Sequence, residues 1–339
     1  MELCLAIDIG GTKLAAGLVT DAGVLLESRR APTPQTDDGD ELFAHLARLV
    51  DDVLRSDAAG AARAVVGTGE LTPTPRVVVC GIGCGGPMDL HEGTVSPLNI
   101  PAWRDFPLRA RVEEVTGLPV SLDNDAKAFA LAEGWMGAAR QRRDYLAMVV
   151  STGVGGGLVV DDHLLHGASG NAGHVGHVIV EPDGRLCVCG ARGCLEAEAS
   201  GTAIAAMTGR APAEASPAVV SRTGQLVGRA VASVVSLCDI ELVVVGGSVA
   251  LGFGAPFFAA ANAELRARAR LSFTARARIV PSGLGAGGPL VGAGHRIAGR
   301  RRDDREAAPW ERRGSHRDWA AFAHCHTCAC LLVNRPRGR

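Results

Sequence analysis

The chain has 339 residues, with 35 Lys+Arg against 36 Asp+Glu and a formal net charge of −1. That balance excludes the broad basic footprint of a nucleic-acid or anionic-membrane binder. At about 150 residues per domain the length predicts two domains, and no apolar run reaches the ~18 residues of a membrane span. Residues 3–9 read as a buried strand ending at Gly10-Gly11, followed by strands over 14–20 and 23–29 joined by the turn Asp21-Ala22-Gly23. Leu42, Leu46, Leu49, Val50 and Val53 form one apolar stripe and predict a helix over 40–55. Residues 57–75 read as a loop rich in Gly and Pro. A strand follows at 76–82, a helix near 106–116, a short strand at 119–122 and an Ala-rich helix after it. The pattern restarts with strands at 145–150 and 158–160, then a helix at 222–238, a strand at 241–245 and a helix at 255–270. Alternation of this kind predicts an α/β architecture with largely buried sheets. From about Arg300 the periodicity is lost, and residues 300–339 read as a disordered basic tail of net +5, which leaves an acidic remainder of −6. Its His324, Cys325, His326, Cys328 and Cys330 could bind metal, although an unstructured extension explains them as well.

Five motifs carry chemistry. Asp8-Ile9-Gly10-Gly11-Thr12-Lys13 ends a strand in an acid, and its glycines let backbone N–H groups approach an anion. A tight hairpin in which Asp8 satisfies backbone donors is the alternative. Ser151-Thr152-Gly153-Val154-Gly155-Gly156-Gly157 repeats the pattern between two further strands, so two such loops fit two domains clamping a polyphosphate. Gly246-Gly247-Ser248 suits the close approach of a flat nucleoside, and an ordinary turn serves equally. Asp123-Asn124-Asp125 precedes the Ala-rich helix, so Asp125 is either a general base or part of a helix N-cap. His177, Cys187, Cys189 and Cys194 supply one imidazole and three thiolates, a closed tetrahedral set for structural Zn²⁺, with buried thiols as the alternative. Lysine is scarce: all but Lys13 and Lys127 of the 35 basic residues are arginine.

The ordered set D-I-G-G-T-K, N-D-A, S-T-G-V-G-G-G, G-H-V-G-H and C-V-C-G-A-R-G-C-L-E resembles the ROK family of sugar kinases over residues 3–297. The resemblance implies two actin-like, ribonuclease-H-like domains with a cleft between them. These would span 1–120 and 121–287, with a helix at 288–298 returning to the first. It implies that Asp8, Gly10, Gly11, Thr12 and Lys13 form the first phosphate loop and Thr152, Gly153 and Gly155 the second. Gly246 and Gly247 would lie by the adenosine. Asn124 and Asp125 match the family's N-D pair, with Asp125 the catalytic base. Gly86, Ser96, Asn99, His177 and Glu196 fall at or near positions that touch the sugar. His174 stands where the family's E-x-G-H motif has glutamate, so its imidazole replaces a carboxylate.

The implied activity is phosphorylation of a hexose by ATP and Mg²⁺, with glucose at its 6-hydroxyl the first choice. N-acetylmannosamine, mannose or another hexose, and polyphosphate as donor, are the alternatives. A non-catalytic sugar sensor is the rival of a different class. Such regulators carry a helix-turn-helix ahead of the first phosphate loop, which here begins at Asp8, so no nucleic-acid or membrane partner is expected. A cytoplasmic homodimer or homotetramer is the expected form.

Overall fold

The structure is a computed structural model and describes residues 1–56 and 76–295. The loop expected over 57–75, the end of the helix expected over 288–298 and the tail at 300–339 lie outside the described residues. The chain divides into residues 1–299 and 300–339, and every described residue belongs to the first unit.

Two five-stranded sheets share one plan. Strands β1 (Glu2–Ile9), β2 (Lys13–Thr20) and β3 (Leu25–Pro32) run antiparallel, and β4 (Arg76–Cys84) and β7 (Val120–Asn124) add in parallel, giving the order β3-β2-β1-β4-β7. The second sheet has the order β10-β9-β8-β11-β12, built from β8 (Tyr145–Val150), β9 (Val154–Val160), β10 (His163–Leu164), β11 (Leu242–Gly246) and β12 (Arg278–Pro281). Its first three strands are again antiparallel and its last two parallel. A two-stranded ribbon, β5 (Met88–Asp89) and β6 (Thr94–Val95), follows β4.

Helices cover the sheets because their apolar stripes need a partner. Helix α1 (Gly39–Leu54) starts where the Asp38 carboxylate accepts from Asp40 and Glu41 N–H, and buries Leu42, Phe43, Leu46, Leu49, Val50 and Val53. It closes one face of the first sheet over Leu5, Ile7 and Leu18, together with Trp103 and α2 (Leu108–Thr116). Helices α6 (Pro217–Cys238) and α7 (Ser248–Arg268) cover the outer face of the second sheet. Short helices α4 (Leu195–Ala199) and α5 (Gly201–Thr208) precede them.

Two helices line the remaining faces. Helix α3 (Asp125–Trp135) lays Phe129 and Ala130 against Ala147, Val159 and Val244 of the second sheet. Helix α8 (Gly288–Gly294) lays Leu290 and Ala293 against Ala6, Ala15 and Val19 of the first. They meet backbone to backbone: a Cβ on Gly292 would fall inside the shell of the Ala128 carbonyl oxygen. The second glycine run differs from its expected form. Only residues 151–153 turn, and Gly155, Gly156 and Gly157 belong to β9. A Cβ on Gly155 would lie 2.9 Å from Ala126 Cβ, and one on Gly157 2.6 Å from Ala130 Cβ. Close packing of α3 on β9 therefore accounts for these glycines.

Candidate active site

The sheet register sets the level of the site. Asp8, Gly83 and Asp123 are aligned across β1, β4 and β7, and Ile9, Cys84 and Asn124 form the next rung. These are the carboxyl ends of parallel strands, where open α/β sheets bind ligands. Strand β7 passes directly into α3. The Asn124 side chain caps the helix by accepting from Ala126 N–H at 3.0 Å, and Asp125 is its first residue. The cap expected of this motif is therefore Asn124, and the Asp125 carboxylate stands beside it in the first turn of the helix.

Asp125 accepts from Ala126 N–H at 2.8 Å. Burial pushes its carboxyl above the ordinary range; the Ala126 bond and nearby His174 pull it back, and Glu196 pushes it up again. Asp8, 7% exposed, is pushed up to about 7 by burial and then by the charge of Asp125, against the pull of Lys13 and Arg30. The charges of both carboxylates also raise the thiol of the fully buried Cys84 further after burial. Such a pair suits a divalent cation or a group sharing a proton.

The first glycine turn is pinned from β3. Gly10 N–H donates to Lys13 O at 3.0 Å, Thr33 Oγ1 donates to Gly10 O at 2.6 Å, and Thr33 N–H donates to Thr12 O at 3.2 Å. Gly11, Thr12 and Lys13 stay outside the core. A cavity of about 260 Å³ opens beside this turn between Gly11, Thr33, Asp37 and Asn99. The Asn99 amide is close to both Gly11 and Gly85.

Three further groups converge from the second half of the chain. His174 Nδ1 is 2.9 Å from Asn171 O. A carbonyl only accepts, so in the neutral ring Nδ1 carries the proton and Nε2 is an acceptor. That Nε2 faces Gly86: a Cβ there would lie 3.2 Å from it and 3.5 Å from Asn124 Nδ2. Glu196, in the first turn of α4, accepts from Val154 N–H at 2.9 Å, which ties it to the second glycine turn. Thr202 holds that turn from α5, its hydroxyl donating to Thr152 O at 3.0 Å. Gly247 adopts a φ of 97°, a left-handed value that favours glycine, and starts α7 against the Val150 backbone. Ser248 then meets Ser151 hydroxyl to hydroxyl at 2.9 Å. The N-terminus of α7 and the second turn therefore adjoin, an arrangement suited to anions. Gly246 is explained by packing, since Phe129 occupies the place of its side chain.

The cysteine cluster forms a compact set. His177, Cys187, Cys189 and Cys194 place one ligand atom each within 4.8 Å of one another. Cys189 and Cys194 Sγ are 3.7 Å apart, as are Cys187 Sγ and His177 Nδ1. Zinc–sulfur bonds of about 2.3 Å at the tetrahedral angle require sulfurs about 3.8 Å apart, whereas a disulfide needs about 2.05 Å. The donor set and its spacing fit a closed zinc site.

Residues 4–297 match the ROK family model. The chain belongs to the ROK family. An N-acetylmannosamine kinase of Citrobacter koseri is 38% identical over 268 residues, which is 74% of this chain and 84% of that protein. A glucokinase of Thermotoga maritima is 39% identical over 202 residues, 59% of this chain and 58% of that protein. A ROK glucokinase of Streptomyces griseus, solved with glucose and AMPPNP, superposes with a TM-score of 0.72 at 29% identity, covering 88% of this chain and 99% of that one. The ROK fold, two actin-like α/β domains with a cleft between them, is the fold of this chain, and its class of activity is phosphoryl transfer to a sugar hydroxyl.

In ROK terms the structure gathers Asp8, Asn124, Asp125, His174 and Glu196 by direct contacts or mutual charge effects. Asn99 and Gly86 border the same space. His177 points Nδ1 into the cysteine cluster, while its ring stacks on His174 at 6.1 Å between centroids, so it connects the two. Sequence reasoning missed Thr33 and Asn171. Thr33 lies twenty residues from the motif it pins. Asn171 sits three residues before His174 and also exchanges two hydrogen bonds with the Met88 backbone.

Proposed function

We propose that this ROK protein transfers the γ-phosphoryl group of ATP to the 6-hydroxyl of a hexose, with Asp125 as general base. One observation carries this: Asp125 opens a helix at the carboxyl ends of the parallel strands, where its carboxylate feels the charges of Asp8, His174 and Glu196. A carboxylate raised by burial holds a proton more strongly than an exposed one, and general-base action of this kind contributes about 10²–10⁴ in rate. The sugar oxygen forms its bond to the γ-phosphorus as the bond to the bridging oxygen of ADP breaks, and the hydroxyl proton passes to Asp125. Positioning supplies much of the remainder. The turns at Gly10–Lys13 and Thr152–Gly153, with Gly247 and Ser248, would hold the nucleotide phosphates. Asp8 would reach Mg²⁺, which spreads the charge of the transferring group. The boundary expected between 120 and 121 falls inside β7, which belongs to the first sheet, so we take residues 1–124 with α8 as one lobe and 125–287 as the other.

His177, Cys187, Cys189 and Cys194 would hold a structural zinc ion that fixes the segment leading into Glu196. For the acceptor we favour N-acetylmannosamine over glucose. Relatives named for it align over 74% of the chain, against 59% for the glucokinases. His174 Nε2 can accept from one hydroxyl where a carboxylate can accept from two. That suits a hexose whose neighbouring hydroxyl is replaced by an acetamido group. A coupled assay with ATP or polyphosphate against glucose, mannose and N-acetylmannosamine tests both choices. Highest kcat/KM on N-acetylmannosamine with ATP is expected, and His174→Glu should shift the ratio toward glucose. A glucose preference in the wild type overturns the choice of sugar but not the kinase assignment.

A further inference from the structure

Lys127 is fully buried, and an ammonium in that position must have its donors met. Its Nζ reaches three acceptors: Asp123 Oδ1 at 2.9 Å, Gly170 O at 2.9 Å and His166 Nδ1 at 3.3 Å. The first lies on β7, four residues back, so the pair brackets Asp125 in sequence. The other two lie on the loop after β10. A lysine placed only to neutralise Asp123 could serve both carboxylate oxygens. Here Asp123 is 8% exposed and its Oδ2 has no hydrogen-bond partner among the described residues, while two of the three lysine contacts go to the loop. Buried ion pairs are weak sources of net stability, because apolar replacement of both members is often neutral. The pair therefore calls for another account, and the loop supplies one. From Gly170 the chain passes to Asn171, whose amide brackets the Met88 backbone and whose carbonyl accepts from His174 Nδ1.

We propose that Lys127 is a positioning residue for the sugar acceptor, its ammonium tying the Gly170–His174 segment to the helix that begins with Asp125. The lysine touches neither substrate nor reacting atoms. It sets the distance between the base and the imidazole that receives the sugar. This rests on the proposed function, in which His174 contacts the sugar.

The test is steady-state kinetics of Lys127→Met, of the double variant Asp123→Asn/Lys127→Met and of His174→Ala, varying sugar and ATP separately. The double variant leaves no unpaired buried charge and keeps folding separate from positioning. Both Lys127 variants should raise the sugar KM about tenfold or more, with ATP KM changed by less than about twofold and kcat largely kept. His174→Ala should raise the same constant. A lower melting temperature with both KM values unchanged overturns the proposal, as does a double variant that does not fold, since the lysine would then belong to the folding core. If His174→Ala leaves sugar KM unchanged, the sugar contact itself is wrong. If it raises KM while the Lys127 variants do not, only the tie is wrong.

Discussion

At the scale of single residues the carboxylates of Asp8 and Asp125 have separate tests. Asp125→Asn should lower kcat by about 10²–10⁴, with sugar and nucleotide affinities by calorimetry near those of the wild type. Turnover close to wild type would remove Asp125 from the role of base. Asp8 is pushed from 3.8 to about 7. Between those values the folded protein keeps a proton that the unfolded chain has released, so stability falls as pH rises through the window. Ligand-free melts should therefore drop from pH 5 to pH 8. Asp8→Asn should flatten that slope and melt higher at pH 8, while losing turnover with Mg²⁺ and ATP. A flat wild-type profile would show that the Asp8 carboxylate is not strained. Residues inside contiguous motifs were legible in sequence. Glu133 was not: it is fully buried and accepts from Ser282, Gly283 and Leu284, about 150 residues away, and no local pattern signals such a partner.

At the scale of elements, most strands follow from their apolar runs, and the departures have physical causes. Glycines at 155–157 read as a loop, yet they belong to a strand: α3 needs the space above Gly155 and Gly157, and Val175 that above Gly156. Helix α6 begins at Pro217, earlier than its apolar period suggests, because Ser216 caps it and proline suits a first helical position. Helices α4 and α5 are not legible in sequence because pieces of five and eight residues are too short for a stripe. The contact between α3 and α8 is the most exacting of the packing joints. Gly292→Ala would drive a methyl group into the Ala128 carbonyl, and neither backbone can yield without lifting a helix off its sheet. A loss of about 3 kcal/mol or more is expected by denaturant titration, at or above the usual range for overpacking. Near-neutral stability would mean that α8 can slide.

For the whole molecule, the two-lobed plan was legible because each half opens with strands joined by a glycine turn, although the two-residue β10 that makes the second set three is too short to read. Sugar identity was not, since it depends on how the segments around Gly86 and His174 meet, nearly 90 residues apart. The cysteine cluster gives a global test. With the proposed zinc in place, a strong chelator should lower the melting temperature and raise the sugar KM, because His177 belongs to the cluster and Glu196 follows its last cysteine by two residues. Retention of full sugar affinity in protein shown to be metal-free would separate the cluster from the sugar site.

Helix α3 touches β4 and β7 of one sheet and β8 and β9 of the other. When two bodies turn against each other, atoms on the shared axle sweep the smallest arcs. Asp125 is the first residue at the end of that axle. Opening to admit ligands or folding down on them would carry the two glycine turns through wide paths, while the proposed base keeps almost the same place. Its alignment would then be a property of the resting protein, ready before any substrate arrives.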